Sequence, residues 1–301
     1  MEFRQLTYFM EVAKREHVTE AAAALHVAQS AVSRQIFNLE NELGVDLFIR
    51  DGRRVKLTPI GKMFLERITH AMNVIDDAKR EVQEYLDPEK GTIRVAFPIS
   101  LAAYTLPTVI YAFRKRYPEA KFQLKQALYH ELINGVIKGD YNMALIGPVP
   151  MDEKKIARKI LFTEQVVALL PLHHPLAENN AIHLRDLKDD PFVLLPEGFV
   201  FRDIVINACS DLGFYPNIAF EGDDIDALKG LVSAGLGVTL MPEVTLVDST
   251  PRSTVKIPLI EPNVTRTVGV ITPTERGLLP TEELFYAFLE EFFTQLHHFK
   301  H

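Results

Sequence analysis

Apolar residues recur at Val32, Ile36, Leu39 and Leu43 in steps of four, three and four, the stripe that a helix turns toward a core. The other face of that helix, which begins near Gln29, carries Gln29, Ser30, Ser33, Arg34 and Phe37. Upstream, an alanine-rich run predicts a short helix with Thr19 as its N-cap, and 26–28 predicts the turn between the two. Leu6, Phe9, Met10 and Ala13 share one face of a first helix over about 2–15, which serves as packing for the pair. Short polar side chains, an amide and a guanidinium on the first turns of a helix are the groups that read base edges in a major groove. Arg forks onto guanine there, and Gln pairs with adenine. Ordinary bundles also carry polar faces, so this pattern alone leaves both readings open.

The flanks change the balance. Asp51-Gly52 between alternating residues predicts a hairpin, and this hairpin carries Arg50, Arg53, Arg54 and Lys56 against a single acid, Asp51. A basic two-stranded wing suits phosphate contact, where attraction does not depend on base sequence. Thr58-Pro59 then reads as the cap and first residue of a longer helix. Along it Phe64, Ile68, Ala71, Ile75, Ala78, Val82 and Tyr85 form a heptad seam that nothing in the same helix covers. This seam is expected to join two copies of the chain and so to present two recognition helices to two half-sites. The alternative is a helix lying on its own domain. Asp87-Pro88 and Gly91 end the helix and mark a linker.

From Thr92 onward the pattern shifts to strands that are apolar on both faces, alternating with helices. Strands are predicted at 92–97, 121–127, 142–146, 166–171 and 192–195, and helices near 101–117 and 130–138. The run 228–242 reads as helix, glycine turn and buried strand, and 284–296 as a closing amphipathic helix. Parallel βαβ units covered by helices are the expected architecture.

Composition adds limits. The chain has 301 residues, enough for two or three domains, and 47% hydrophobic content supports real cores. A net charge of −7 argues at first against a nucleic-acid partner, but residues 29–67 hold 7 basic against 5 acidic side chains. Such modest local charge implies reliance on base contacts and on a dimer. A single cysteine, Cys209, excludes an internal disulfide framework, fits a reducing cytoplasm and is expected to be a buried packing residue. The N-terminus lacks a signal-peptide core, and no apolar run approaches the roughly 20 residues of a membrane span. A cytoplasmic protein is expected.

Phe3-Arg4-Gln5-Leu6, Ala21-Ala22, Leu25, Gln29 to Ile36, Leu39-Glu40, Leu43-Gly44, Leu47-Phe48, Arg50 and Leu57 to Gly61 together resemble the winged helix-turn-helix of LysR-type transcriptional regulators. The chain departs from the family at Ala28, where Ser or Thr is common, and at Ser30, where Pro is common, which puts the cap of the recognition helix in question. Arg94-Val95-Ala96, Tyr117-Pro118, His174-Pro175-Leu176 and Ala234 to Pro242 resemble the LysR effector domain. The resemblance implies a fold like that of periplasmic binding proteins, with two α/β subdomains around a cleft. Asn142 stands where the family commonly has Asp, a change expected to alter a structural hydrogen bond and not the cleft. The expected division is a DNA-binding domain over 1–58 with the helix-turn-helix at about 18–37, and a dimerisation helix over 59–87. An effector domain over 91–301 follows, with subdomain one at 91–162 and 268–301 and subdomain two at 163–267.

Ligands of open α/β sheets bind at the carboxyl ends of strands, where helix N-termini attract anions. Ser100 and Leu101 follow the first strand of this half, Tyr129 the second, and Gly147-Pro148 the third. From the other subdomain come Phe199 and Arg202, whose guanidinium could clamp a carboxylate bidentately. The ordinary alternatives are a helix cap for Ser100, core for Phe199 and an ion pair for Arg202. These residues suit a small carboxylate, and the resemblance, which is strongest to regulators of glutamate metabolism, implies 2-oxoglutarate or glutamate as effector. It also implies double-stranded promoter DNA and RNA polymerase as partners, a homodimer or homotetramer, and activation of a target operon. No catalytic or metal-binding motif stands out: His173-His174, His297-His298 and His301 lack helical metal spacing, and Gly235 and Gly237 precede a strand where a nucleotide loop would precede a helix. Two alternatives compete: a metabolite-binding protein or enzyme with packing helices at its start, and a constitutive DNA-binding protein with a vestigial cleft.

Overall fold

A computed structural model describes residues 1–52 and 54–299 and resolves into two compact units, Met1–Lys79 and Arg80–His301. Arg53 and His301 lie outside the described residues, as do the side chains of Arg50, His297 and His298.

In the first unit, α1 (Phe3–Arg15), α2 (Val18–Ala24) and α3 (Gln29–Leu43) pack around Leu6, Phe9, Val12, Ala21, Val32, Ile36 and Leu39. The Phe9 ring lies 5.3 Å from the rings of both Phe48 and Phe64. Leu43 falls outside this core at 37% exposure, because Gly44 at φ +70° turns the chain away there. The cap of α2 is also not the expected one. Thr19 lies inside the helix, and His17 Nδ1 accepts from Glu20 N at 3.4 Å. The wing pairs β1 (Phe48–Asp51) with β2 (Arg54–Leu57) antiparallel, Asp51 opposite Arg54. Glu40 Oε1 accepts from Leu47 N at 2.8 Å and Phe48 N at 3.0 Å, which bolts the wing to α3. Thr58 Oγ1 accepts from Gly61 N at 2.9 Å and so caps α4 (Pro59–Glu84), as its sequence predicts. Gly61 is required by packing, since a Cβ there would sit 2.1 Å from Leu47 O.

The expected dimer seam along α4 is split. Phe64 and Ile68 pack into the unit's own core, so they do not belong to a free seam. Ala71, Val74, Ala78, Val82 and Tyr85 remain exposed.

In the second unit, β3 (Thr92–Phe97) runs parallel to β4 (Lys121–Gln126) and β5 (Met143–Ile146). The strand expected from Val166 is longer than predicted: β6 spans Ile156–Pro171. It pairs antiparallel with β10 (Thr239–Pro242), β11 (Thr254–Ile260) and β12 (Thr265–Pro273), and β12 also pairs antiparallel with β5. The sheet is therefore mixed, not wholly parallel. The two-residue β7 (Ile182–His183) closes its edge. A separate parallel pair, β8 (Pro191–Leu194) and β9 (Asn217–Glu221), meets Val238 through Phe192.

Helices α5 (Thr105–Arg116) and α9 (Pro280–Phe299) share a core with β3 and β5, in which Phe113 and Phe285 meet edge to face at 5.0 Å. Helix α6 (Tyr129–Lys138) packs through Leu132 and Val136 with Ile146 and Ile271. Helices α7 (Val200–Asp211) and α8 (Ile225–Ser233) cover the other half. Among the described residues, β6 and β12 are the strands that run through both halves. Their pairing shifts register between Val268 and Gly269, and a Cβ on Gly269 would meet Lys159 O at 2.2 Å.

Candidate functional site

Two regions gather the candidate residues. On α3, Val32, Ile36 and Leu39 are buried, while Gln29, Ser30, Ser33 and Arg34 are all exposed on the first two turns. The cap residue is Ala28, in extended conformation and without a side-chain hydrogen bond. The α3 N-terminus therefore keeps backbone N–H groups that no cap side chain occupies, the groups that bind phosphate oxygens. Arg54 and Lys56 are exposed on the same strand of the wing, two residues apart and so on one face. Phe37, 61% exposed, lies one turn beyond Ser33 and Arg34.

The second region is a cavity of about 120 Å³ in the second unit. Pro98, Ile99, Ser100, the segment 126–129 and Gly147 line it from one side, and Leu195, 199–201, Asp223, Ile225 and Pro242 from the other. Of the residues singled out in the sequence, Ser100, Tyr129, Gly147 and Phe199 border this cavity, and Leu101, Pro148 and Arg202 do not. Leu101 is fully buried in the core beside Phe97. Past Gly147 the chain turns to pair Val149 N with Thr267 Oγ1 at 3.0 Å, which carries Pro148 off the lining. Ser100 does not open an α-helix either. It sits in a 3-10 turn over Ile99–Leu101, and α5 starts only at Thr105.

Arg202 is committed elsewhere. Its Nη1 donates to Leu195 O at 2.7 Å and to Glu221 Oε1 at 2.6 Å, and the residue is 7% exposed. The cation that reaches the cavity is Arg266, on β12. Its Nη2 donates to Ser100 Oγ at 2.9 Å, its Nε donates to Glu164 Oε1, and its guanidinium lies 5.4 Å from the Phe201 ring. Burial pushes the Glu164 carboxyl above the ordinary carboxylate range, and the neighbouring Arg266 opposes that shift. Gly147 packs against this strand: a Cβ there would lie 3.2 Å from Thr267 O and in ordinary contact, 3.6 Å, with Arg266 Cζ. Burial also raises the Tyr129 phenol, so it is a neutral hydrogen-bonding group at the cavity wall.

Arg266 and Glu164 escape the sequence reading because no strand is predicted over β12 and the strand predicted from Val166 starts two residues past Glu164. A signal existed. Arg266 shares a strand face with the buried Val268 and Val270, a lone charge on an apolar stripe at period two.

Two further expectations meet their outcome here. Asn142 is buried, with Nδ2 donating to Glu282 Oε2 at 2.9 Å and Oδ1 accepting from Arg276 Nε at 3.2 Å, so its role is structural. Burial pushes the Cys209 thiol up to about 12, as a packing residue requires. No helix among the described residues is long and apolar enough to cross a membrane.

Residues 3–62 match bacterial regulatory helix-turn-helix proteins of the lysR family, and residues 86–294 match the LysR substrate binding domain. The chain is 56% identical over 300 residues to the transcriptional dual regulator GltC of Bacillus subtilis, with 100% of each chain covered. It is 31% identical to the HTH-type transcriptional regulator CysB of Burkholderia cenocepacia, covering 88% of this chain and 87% of that one. Among solved structures, full-length BenM superposes with a TM-score of 0.62 at 28% identity over 100% of this chain and 98% of that one. Full-length CbnR in complex with its target DNA superposes with a TM-score of 0.79 at 24% identity over 97% and 99%, a likeness of fold. A helix-turn-helix with a polar outer face, a mixed sheet crossed twice between two halves, and matches along nearly the whole chain make this protein a member of the LysR family of transcriptional regulators.

Proposed function

We propose that the protein binds a pseudo-palindromic promoter site as a homodimer or homotetramer and switches transcription in response to a small carboxylate. The observation that carries the reading is α3, whose outer face exposes Gln29, Ser30, Ser33 and Arg34 directly opposite a buried stripe. Arg34 and Gln29 read bases, and Arg54 with the rest of the wing, including Arg50 and Arg53, binds phosphate. Ala71, Val74, Ile75, Ala78 and Val82 on α4 join a second copy, which spaces the two recognition helices. RNA polymerase is the protein partner, the cytoplasm the site of action, and activation of a target operon the outcome, in keeping with the similarity to GltC.

The effector sits in the cavity with a carboxylate against Arg266 and Ser100. Gly147 borders it, and Ile99, Phe199 and Phe201 cover its apolar part. 2-Oxoglutarate and glutamate are the first ligands to test. The protein performs no catalysis in this reading.

The test is titration of the full chain against a duplex from upstream of its own gene, at two salt concentrations, with and without each ligand. Preference over scrambled DNA that Arg34→Ala weakens supports the reading. Equal binding to both duplexes by wild type and variant removes it.

A further inference from the structure

The cation in the cavity is already neutralised before any ligand arrives. Arg266 is 3% exposed and bonds through Nε to Glu164 Oε1 and through Nη2 to Ser100 Oγ, so Nη1 is in neither bond. Glu164 is itself 7% exposed, and its Oε2 is buried with no hydrogen-bond partner among the described residues. Among the described residues Arg266 is the one cation in the cavity lining, which also includes the acid Asp223.

A ligand carboxylate drawn to Nη1 therefore places a second anion on one buried cation. The corner then holds one uncompensated negative charge away from water, an arrangement far costlier than neutralising one of the acids. The anion already in place is the one with an idle oxygen.

Building on the effector site proposed above, we propose that Glu164 is a resident competitor for the effector carboxylate, and that carboxylate binding at Arg266 delivers one proton from solvent to Glu164 Oε2. Before binding, an ionised Glu164 neutralises Arg266. Afterwards the ligand carboxylate neutralises Arg266 and Glu164 is a neutral acid; the only bond formed is O–H.

The surroundings favour this direction. The groups facing Glu164 are Arg266 on β12 and Glu243 in the turn after β10, which repels it and is itself paired with Lys256 of β11 at 2.7 Å. Burial already holds the Glu164 carboxyl high. Effector affinity is then greatest below the free-state value of Glu164, falls as pH rises toward its ligand-bound value, and levels off above that.

The test is calorimetry of the full chain with 2-oxoglutarate and with glutamate, in buffers of different ionisation enthalpy and over a range of pH, for wild type and Glu164→Gln. Wild type should take up about one proton per ligand within that window, with affinity falling up to about tenfold per pH unit. Glu164→Gln should bind without that uptake and more tightly than wild type at the alkaline end. Binding by wild type with no proton uptake overturns the inference and leaves the effector site standing; uptake that persists in Glu164→Gln overturns it likewise. Binding of neither ligand removes the carboxylate reading of the cavity together with the inference. Should Glu164→Gln fail to fold, the wild-type proton count decides alone.

Discussion

Arg266 Nη2 lies 2.9 Å from Ser100 Oγ, which ties the returning strand β12 to the turn that follows β3. The same guanidinium holds Glu164 of β6, so one side chain joins both strands that pass between the halves to the wall of the cavity. Arg266→Ala leaves Glu164 a buried carboxylate without its cation, at an expected cost of about 3–5 kcal/mol. Combining Arg266→Met with Glu164→Leu should restore most of that stability while carboxylate binding stays lost. Denaturant unfolding with ligand titration on the same samples checks both; a double variant as unstable as Arg266→Ala would contradict the charge argument.

On DNA, loss of a base contact and loss of a phosphate contact separate cleanly. Arg34→Ala or Gln29→Ala should cost about 1–3 kcal/mol on the operator and little on scrambled duplex. Arg54→Ala should weaken both duplexes alike and lower the salt slope by about one. Fluorescence titration over a salt series distinguishes the two patterns.

Stability should fall with rising pH through the buried carboxyl Glu282. Burial raises its value in the folded chain, and its hydrogen bonds from Asn142 and Leu279 N and the nearby Arg94 and Arg80 oppose that only in part. A folded state that holds its proton more tightly than the unfolded chain is favoured at low pH. It loses that advantage from the ordinary carboxyl range up to the raised folded value. Glu282→Gln removes this group's share of the decline, so its melting temperature should gain on wild type as pH climbs through that window. Parallel melting curves at every pH would refute the assignment.

Gly269→Ala should destabilise the second unit by about 1–3 kcal/mol, because the added methyl meets the Lys159 carbonyl at the register shift of β12 on β6. Thermal unfolding of the variant measures it, and a neutral effect would mean the crossing strands yield there easily.

Val82, 72% exposed on α4, should tolerate Lys without loss of folding. Val82→Lys with Ala78→Glu should instead shift the oligomer toward monomer in sedimentation and weaken operator binding cooperatively. An unchanged oligomer would place the interface elsewhere.

The sequence by itself determined the elements whose signals are local. The α3 stripe of Val32, Ile36 and Leu39, its polar outer face, the Thr58 cap and the hairpin pairing of the wing all depend on neighbours within a few positions, and each was legible from spacing and capping chemistry. What tertiary structure alone decided are the partners of residues far apart in the chain. Phe64 and Ile68 carry the same heptad spacing as Val82, yet α1 and the wing cover the first two and leave the last bare. Arg202 and Arg266 are equally plausible clamps on paper; Glu221 and the Leu195 carbonyl take up the first, while β12 brings the second to the cavity. Glu164 and Arg266 stand 102 residues apart and meet only because two long strands pair antiparallel. A charge chooses its counter-ion by distance in space, and periodicity along a chain carries no record of that distance.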